Sequence, residues 1–208
     1  MYYLGIDPGK KGAWALLDST SMKIVDWQAA DCPDVGWIDR NHRGYWAYRV
    51  RGWHSMHESL ALTVQKFDLK PGNVLVLIEQ QGTRPKEGRV SAFTGGFGFG
   101  VWLGLMGGMG LPYRCALPSL WKTELFRGIG GNGKEPGQKE RSIRHAAEMF
   151  PEFAEEGLTL GRRHSPHDGL ADAACLALWA HKQYGRWPDM LDQIGEEWAS
   201  DPRPRGSG

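Results

Sequence analysis

Four acidic side chains lie at the ends of apolar stretches or within one, where burying a carboxylate costs free energy unless the group takes part in chemistry. Asp7 follows the apolar run YYLGI, and Glu79 ends the apolar run VLVLI. Asp168 and Asp172 lie four residues apart in HDGLADAACLALWA, so a helix would place both on one face. Taken singly, each acid is explained by a helix cap, a turn or a salt bridge. Taken together, four such acids are better explained by one shared site.

If these acids converge, their mutual repulsion requires cations. Hard oxygen ligands select Mg²⁺ or Mn²⁺. Two such ions about 4 Å apart activate a water molecule on one side of a phosphate and stabilise the leaving oxygen on the other. The argument is strongest for Asp172, because the small and apolar stretch AACLALWA follows it and should be buried. Burying a lone carboxylate costs on the order of several kcal/mol. The pattern therefore predicts a two-metal Mg²⁺ site in which Mn²⁺ can substitute.

The elements that must position these acids are strands followed by helices interleaved with strands. MYYLGIDPG, GAWALLD and KIVDWQA predict three strands of an antiparallel meander, and NVLVLIE predicts a buried central strand. LPYRCAL predicts a weaker strand. Helical spacing predicts helices over 55–67, 119–126, 138–150 and 167–184. This order is typical of an α/β fold with a mixed sheet flanked by helices.

Residues 94–110, TGGFGFGVWLGLMGGMG, are rich in glycine, which favours a loop. However, Gly96, Gly100, Gly104 and Gly108 recur every four residues. This spacing predicts a helix whose glycine face lets another backbone approach closely. A phosphate-binding loop is the alternative, although the lysine-bearing P-loop pattern is missing.

Composition restricts the class of protein. The chain has 208 residues, enough for one domain, which we predict over 1–190 with an inserted segment at 29–54. A tail over 191–208 follows, and its last eight residues are expected to be disordered. The net charge is +1, so charge alone does not indicate nucleic-acid binding. The start lacks a signal-peptide pattern, no apolar run is long enough for a membrane span, and the three cysteines show no close pairing, so we expect a cytoplasmic protein that does not contact membranes.

The ordered set GIDPGKKGAWAL, VLIEQQ and HDGLADAACLALWA resembles the RuvC family of Holliday-junction resolvases within the RNase H-like superfamily. The resemblance covers residues 1–17, 74–150 and 165–181. It implies a five-stranded mixed sheet with helices on both faces, and a homodimer that cuts four-way DNA junctions symmetrically. It assigns metal binding to Asp7, Glu79 and Asp172.

The resemblance leaves the fourth carboxylate open. Some members space the last acidic pair by three residues, where Gly169 stands here, whereas Asp168 precedes Asp172 by four. His167 is a further candidate, either for reaching the metals or for protonating the leaving group. The alternative for His167 is a solvated histidine at the start of a helix.

Three lysines are candidates for stabilising charge on the scissile phosphate, as preorganised cations do. The stretch PSLWKTELFRGIGGNGKEPGQKE matches a family segment that carries a lysine after a Pro-led turn and a second lysine near a glycine-rich loop. This match assigns the roles to Lys122 and Lys139, with Lys134 competing for the second. Generic phosphate binding or simple exposure is the alternative for all three.

Basic residues in two segments are candidates for contacting DNA. Arg84, Lys86 and Arg89 lie in a predicted flexible loop after Glu79. In relatives this loop often carries an apolar residue that probes the junction centre, but Gly82 stands at that position here.

The second basic segment is the insertion. Arg49 and Arg51 lie among aromatic residues, a composition that suits phosphate contacts and base stacking. A hairpin whose aromatics pack onto the domain is the equal alternative. Beside the proposed site, Gly5 and Gly9 are expected to leave room for a nucleic-acid backbone.

These observations predict a Mg²⁺-dependent endonuclease that hydrolyses phosphodiesters in branched DNA, with a four-way junction as substrate. One alternative is a ribonuclease-H-like or transposase-type nuclease with another substrate. Another is a branched-DNA-binding protein that does not cleave, or an actin-like nucleotide binder, although the second phosphate loop of the latter is missing.

Overall fold

The fold is organised around a five-stranded mixed sheet. The computed structural model describes residues 1–9, 12–29, 57–83, 87–127, 138–159 and 166–185. The strands are β1 (Tyr2–Asp7), β2 (Ala13–Asp18), β3 (Lys23–Ala29), β4 (Val74–Glu79) and β5 (Tyr113–Ala116), in the order β3-β2-β1-β4-β5. The pairs β1–β2 and β2–β3 are antiparallel, whereas β1–β4 and β4–β5 are parallel. The predicted meander and the predicted five-stranded mixed sheet are thus confirmed.

Helices flank this sheet on both faces. They are α1 (57–66), α2 (Arg89–Met109), α3 (Pro118–Leu125), α4 (Gln138–Met149), α5 (Pro151–Phe153) and α6 (Asp168–Tyr184). A π-helical turn over Ala154–Leu158 continues α5, and neither segment was expected from the sequence. Arg89 is the first residue of α2, so its predicted placement in a flexible loop is wrong. The insertion begins no earlier than residue 30, because Ala29 ends β3.

Alternation along the strands separates two apolar cores. Leu4, Ile6 and Ile78 belong to the core that α1 and α2 cover, together with Trp102 and Met106 of α2. The residues that alternate with these along the strands point to the other face. They include Tyr3, Leu75 and Leu77, and they belong to the core that α3, α4 and α6 cover. Because side chains alternate between the faces of a strand, Asp7 and Glu79 belong to the second face. The pleat therefore directs both carboxylates toward α6.

Close packing of β1 against α6 occurs at Gly5. A Cβ built on Gly5 would lie 2.0 Å from the carbonyl oxygen of Ala173 and 2.8 Å from the backbone nitrogen of Ala177. The space beside Gly5 is therefore filled by the backbone of α6. The expectation that Gly5 leaves room for a nucleic-acid backbone is wrong.

The glycine-rich segment forms the predicted helix, α2. Trp102 and Met106 are buried against the sheet. On the outer side, no atom lies within 4 Å of a Cβ built on Gly96, Gly100 or Gly104. The described part of the chain therefore places no backbone against the glycine face, and the predicted close approach does not occur within it.

Two general features complete the fold. None of the helices in the described ranges combines the length and apolarity that crossing a membrane requires. Cys115 and Cys175 carry free thiols, the former exposed and the latter buried, while Cys32 lies outside the described residues.

Candidate active site

Asp7 and Glu79 lie side by side at the ends of the neighbouring parallel strands β1 and β4. The register pairs Ile6 with Ile78, so the next residue of each strand is an acid. The backbone N–H of Gly9 donates to Asp7 Oδ1 at 2.9 Å. A Cβ on Gly9 would lie 2.9 Å from the same oxygen, so this position accepts no larger residue without moving the carboxylate. The turn after β1 thus fixes the Asp7 side chain.

Lys122 connects this strand edge to α6. Its Nζ lies 2.8 Å from Asp172 Oδ2 and 3.5 Å from Glu79 Oε2. The Lys122 and Asp172 side chains are only 15% and 14% exposed, so water screens this pair weakly. Three elements, β4, α3 and α6, therefore meet around one ammonium group.

The charges of this cluster do not balance. Burial, together with the charges of Glu79 and Asp172, raises the pKa of Asp7 to about 8. Burial also raises the pKa of Glu79, against the opposing effect of Lys122. Burial acts to lower the pKa of Lys122, but Asp172 and Glu79 outweigh it and the pKa lies above its ordinary value. Three carboxyl groups thus share a single ammonium, and Asp7 holds a proton at neutral pH.

The donor set of this cluster fits a divalent metal ion. Asp172 Oδ1 is buried and accepts no hydrogen bond from any residue that the structure describes. Oxygen donors and excess negative charge match Mg²⁺ or Mn²⁺. However, among the described residues no three His, Cys, Asp or Glu side chains stand in an arrangement that holds a metal as they are. The Lys122 ammonium lies between two of the acids, so it competes with an ion for their negative charge.

Asp168 is paired separately, with Lys139. The Lys139 ammonium donates to Asp168 Oδ2. Although burial acts in the opposite direction, this bond and the lysine charge hold the pKa of Asp168 below its usual range. The Lys139 side chain is 76% exposed, and its pKa is raised by the bond to Asp168 and the charge of that residue, with smaller effects from Asp172 and Asp7. The Asp168–Lys139 pair therefore lies at the solvent side of the cluster.

His167 is the N-cap of α6. Its Nδ1 accepts a hydrogen bond from the backbone N–H of Leu170 at 3.1 Å, and the residue is 2% exposed. Its backbone N–H donates to the carbonyl of Leu158 at 2.7 Å. The alternative of a solvated histidine is therefore wrong, and Nδ1 is used by the helix cap.

Sequence reasoning missed Trp121. This residue is fully buried in α3, and its Nε1 donates to Glu79 Oε2 at 3.1 Å. Its ring also lies 4.8 Å from the Lys122 ammonium. The available signal was an indole donor next to a lysine that already had a predicted role.

Several candidate residues lie outside the described part of the chain. They are Arg49 and Arg51 in the insertion, Arg84 and Lys86 after β4, and Lys134 before α4. Gly82 is described, and no atom lies within 4 Å of a Cβ built there. The stretch after β4 therefore presents no side chain at this position.

Comparison with known proteins supports the same fold. No protein-family model matches the chain. A stretch of 113 residues is 32% identical to the chloroplastic Holliday junction resolvase MOC1 of Chlamydomonas reinhardtii. This stretch is 54% of the chain and 12% of that relative, so the chain spans only a small part of it.

Two solved structures are similar to about nine-tenths of the chain. Thermus thermophilus RuvC, in complex with a Holliday junction substrate, has a TM-score of 0.54 at 18% identity, covering 90% of this chain and 96% of that one. The yeast mitochondrial Holliday junction resolvase Ydc2 has a TM-score of 0.50 at 15% identity, covering 91% and 85%. The predicted α/β fold, with a five-stranded mixed sheet flanked by helices, is confirmed and is similar to the fold of these structures.

Proposed function

We propose that the chain is a metal-dependent, structure-selective endonuclease that resolves Holliday junctions by hydrolysing phosphodiester bonds. The observation that carries this proposal is the meeting of Asp7, Glu79 and Asp172 around Lys122 on a fold of the RuvC type. Each acid comes from a different element, and no structural reason requires three buried carboxyl groups at one sheet edge. A site that uses their charge provides that reason.

Asp7, Glu79 and Asp172 are the residues that would hold Mg²⁺, with Asp168 as the fourth ligand. When bound, a pair of such ions supplies an activated water molecule and neutralises the leaving oxygen. Asp7 must first release its proton, because a carboxylate binds a metal only in its ionised form. The turn through Gly9 keeps this carboxylate in place while it changes charge.

Lys122 has two successive partners in this proposal. Without metal, its ammonium neutralises Asp172 and Glu79. With divalent cations held by these acids, Lys122 would lose its partners there and would be free to bind the scissile phosphate. A cation fixed in a dry pocket stabilises the charge that develops there in the transition state. Lys139, more exposed, contacts the phosphate from the solvent side. His167 would have to give up the cap bond at Nδ1 and become protonated there before it could donate a proton to the leaving group.

The partner of the outer face of α2 is a second copy of the chain. Phe93 and Phe97 are 62% and 40% exposed there, and their ring centroids lie 6.4 Å apart. The glycines beside them allow a second helix to approach closely. A two-fold axis at this face would give two active sites, as symmetric cutting of a four-way junction requires.

Contacts to DNA away from the cut are assigned to basic residues around the site. They are Arg84, Lys86 and Lys134, with Arg89 at the start of α2 and Arg49 and Arg51 in the insertion. Phosphate contacts from such residues orient a nucleic acid without reading its sequence. A cytoplasmic location is part of the same proposal.

Substrate choice separates this proposal from its alternatives. The purified protein is offered a synthetic four-way junction and an RNA–DNA hybrid in separate reactions with Mg²⁺. Cleavage of the junction alone supports the proposal, whereas cleavage of the hybrid alone indicates a ribonuclease-H-like enzyme. Equal junction binding by the natural chain and Asp7→Asn, with no cleavage by either, indicates a binding protein.

A further inference from the structure

The carboxylate of Glu79 receives two different donors at one oxygen. Trp121 Nε1 donates to Oε2 at 3.1 Å, and Lys122 Nζ lies 3.5 Å from the same atom. Both contacts are made at Oε2 and neither at Oε1. Glu79 is only 9% exposed, so its two donors hold Oε2 with little competition from water.

The two donors differ in what a cation does to them. Lys122 is positively charged and is bound more closely to Asp172, so an entering metal ion repels it. The indole N–H of Trp121 is neutral and stays in place when positive charge arrives. Trp121 is therefore the donor that can hold Glu79 both before and after a metal binds.

Packing fixes the direction of the indole N–H. Trp121 is fully buried, and its ring lies against Phe126 with centroids 6.1 Å apart. On the same helix, Glu124 accepts hydrogen bonds from Trp179 Nε1 at 2.8 Å and from Gln183 Nε2 at 3.0 Å. These bonds connect α3 to α6, the helix that carries Asp172. The direction of the Trp121 N–H is set by the packing of Trp121 itself, and the bonds to Glu124 lie apart from Glu79.

We propose that Trp121 is a positioning residue, whose indole N–H orients the Glu79 carboxylate so that Oε1 is presented to a divalent cation. This inference rests on the proposed function, because it assigns Glu79 to the metal. Hydrogen bonds to a metal-binding carboxylate typically change metal affinity or activity about 10- to 100-fold when removed. Trp121 does not touch the substrate in this account.

The test compares Trp121→Phe with Trp179→Phe in the full chain. Both variants lose an indole N–H that donates to a carboxylate, but only the first loses the bond to Glu79. Binding of Mn²⁺ alone is measured by calorimetry, and junction cleavage is measured across a Mn²⁺ series. We expect Trp121→Phe to weaken Mn²⁺ binding about 10- to 100-fold with an unchanged KM for the junction. Trp179→Phe should bind Mn²⁺ as the natural chain does.

A measurement on the natural chain guards against loss of folding in the variants. The indole ¹⁵N–H resonances are followed by NMR while Mg²⁺ is added. The Trp121 resonance should shift on Mg²⁺ binding, and the Trp179 resonance should not. An unshifted Trp121 resonance at saturating Mg²⁺, or equal Mn²⁺ affinity in both variants, overturns the inference and leaves the proposed function intact. Absence of any metal binding by the natural chain overturns both.

Discussion

Gly5 of β1 lies against the carbonyl of Ala173 in α6, so closely that a Cβ on Gly5 would stand 2.0 Å from that oxygen. Ala173 directly follows Asp172, and Gly5 lies two residues before Asp7 on the same face of the strand. The contact therefore sets the distance between the strand and the helix that supply two of the acids.

Gly5→Ala should separate these two elements. The added methyl group forces α6 away from the sheet, which typically costs about 1–3 kcal/mol in a well-packed core. We expect a lower free energy of unfolding in urea, and junction cleavage reduced more than junction binding. Gly95→Ala is the matched control, because its methyl group meets no described atom within 4 Å and lies about 200° around α2 from Phe97, away from the proposed dimer face. That change should stabilise the protein by up to about 1 kcal/mol. Equal stability of Gly5→Ala and the natural chain would contradict the close packing.

Replacing Asp7 by Asn should show how much the ionised Asp7 carboxylate destabilises the folded protein. The folded-state pKa of about 8 lies above the ordinary value, so the folded protein keeps a proton that the unfolded chain releases above about pH 4. The protonated Asp7 carboxyl group therefore contributes to the free energy of unfolding at low pH, and this contribution is lost as the pH rises toward 8. Without metal, Asp7→Asn should exceed the natural chain in Tm by an amount that grows between pH 5 and pH 8. A difference of about 2 °C or more at pH 8 is expected.

Magnesium should reverse that order. Mg²⁺ stabilises the ionised form of Asp7, so it should raise the Tm of the natural chain at pH 8 and leave Asp7→Asn nearly unchanged. A difference between the two proteins that does not depend on pH would show that Asp7 is not protonated in the folded state.

Lys122→Met should make the protein depend on metal for its stability. The change removes the ammonium that compensates Asp172 and Glu79, and uncompensated buried charges destabilise the folded state. We expect Mg²⁺ to raise the Tm of Lys122→Met more than that of the natural chain, and cleavage to fall about 10²- to 10³-fold. Lys139→Met, in which an exposed side chain is removed, should show a smaller change in Tm. The same Mg²⁺-dependent shift in all three proteins would contradict the exchange of partners by Lys122.

Phe97→Glu should dissociate the proposed dimer. A charge on the outer face of α2 cannot be buried against a second copy without a large desolvation cost. Leu62→Glu is the control, because Leu62 is also an exposed apolar side chain, at 66%, but lies on α1. Light scattering after size exclusion should give a monomer for Phe97→Glu and a dimer for Leu62→Glu. A dimeric Phe97→Glu protein would place the interface elsewhere.

The spacing of apolar residues was sufficient to predict the sheet and most of the helices. The alternation in YYLGID and the apolar run VLVLIE predicted β1 and β4, and the parallel register then brings Asp7 beside Glu79. The start of α2 was missed because Arg89 was assigned to the loop after Glu79, although residues 89–93 contain no glycine and Trp102 and Met106 pack the helix against the sheet.

Features that depend on another element could not be read from one segment. The sequence shows that Gly5 is small, but not that Ala173 fills the space beside it. It shows a lysine at position 122, but not that Asp172 and Glu79 are its partners. Trp121 carried no predicted role, because only the fold brings its indole to Glu79.

Cleavage of a synthetic mobile four-way junction by the natural chain and by Asp172→Asn, each with Mg²⁺ or with EDTA, tests the central claim most directly. That claim is that three carboxylates, one each from β1, β4 and α6, form a single metal-dependent active centre. The account predicts paired, symmetric cuts by the natural chain with Mg²⁺ only, and junction binding without cutting by Asp172→Asn. Cutting in EDTA, or undiminished cutting by Asp172→Asn, would contradict it.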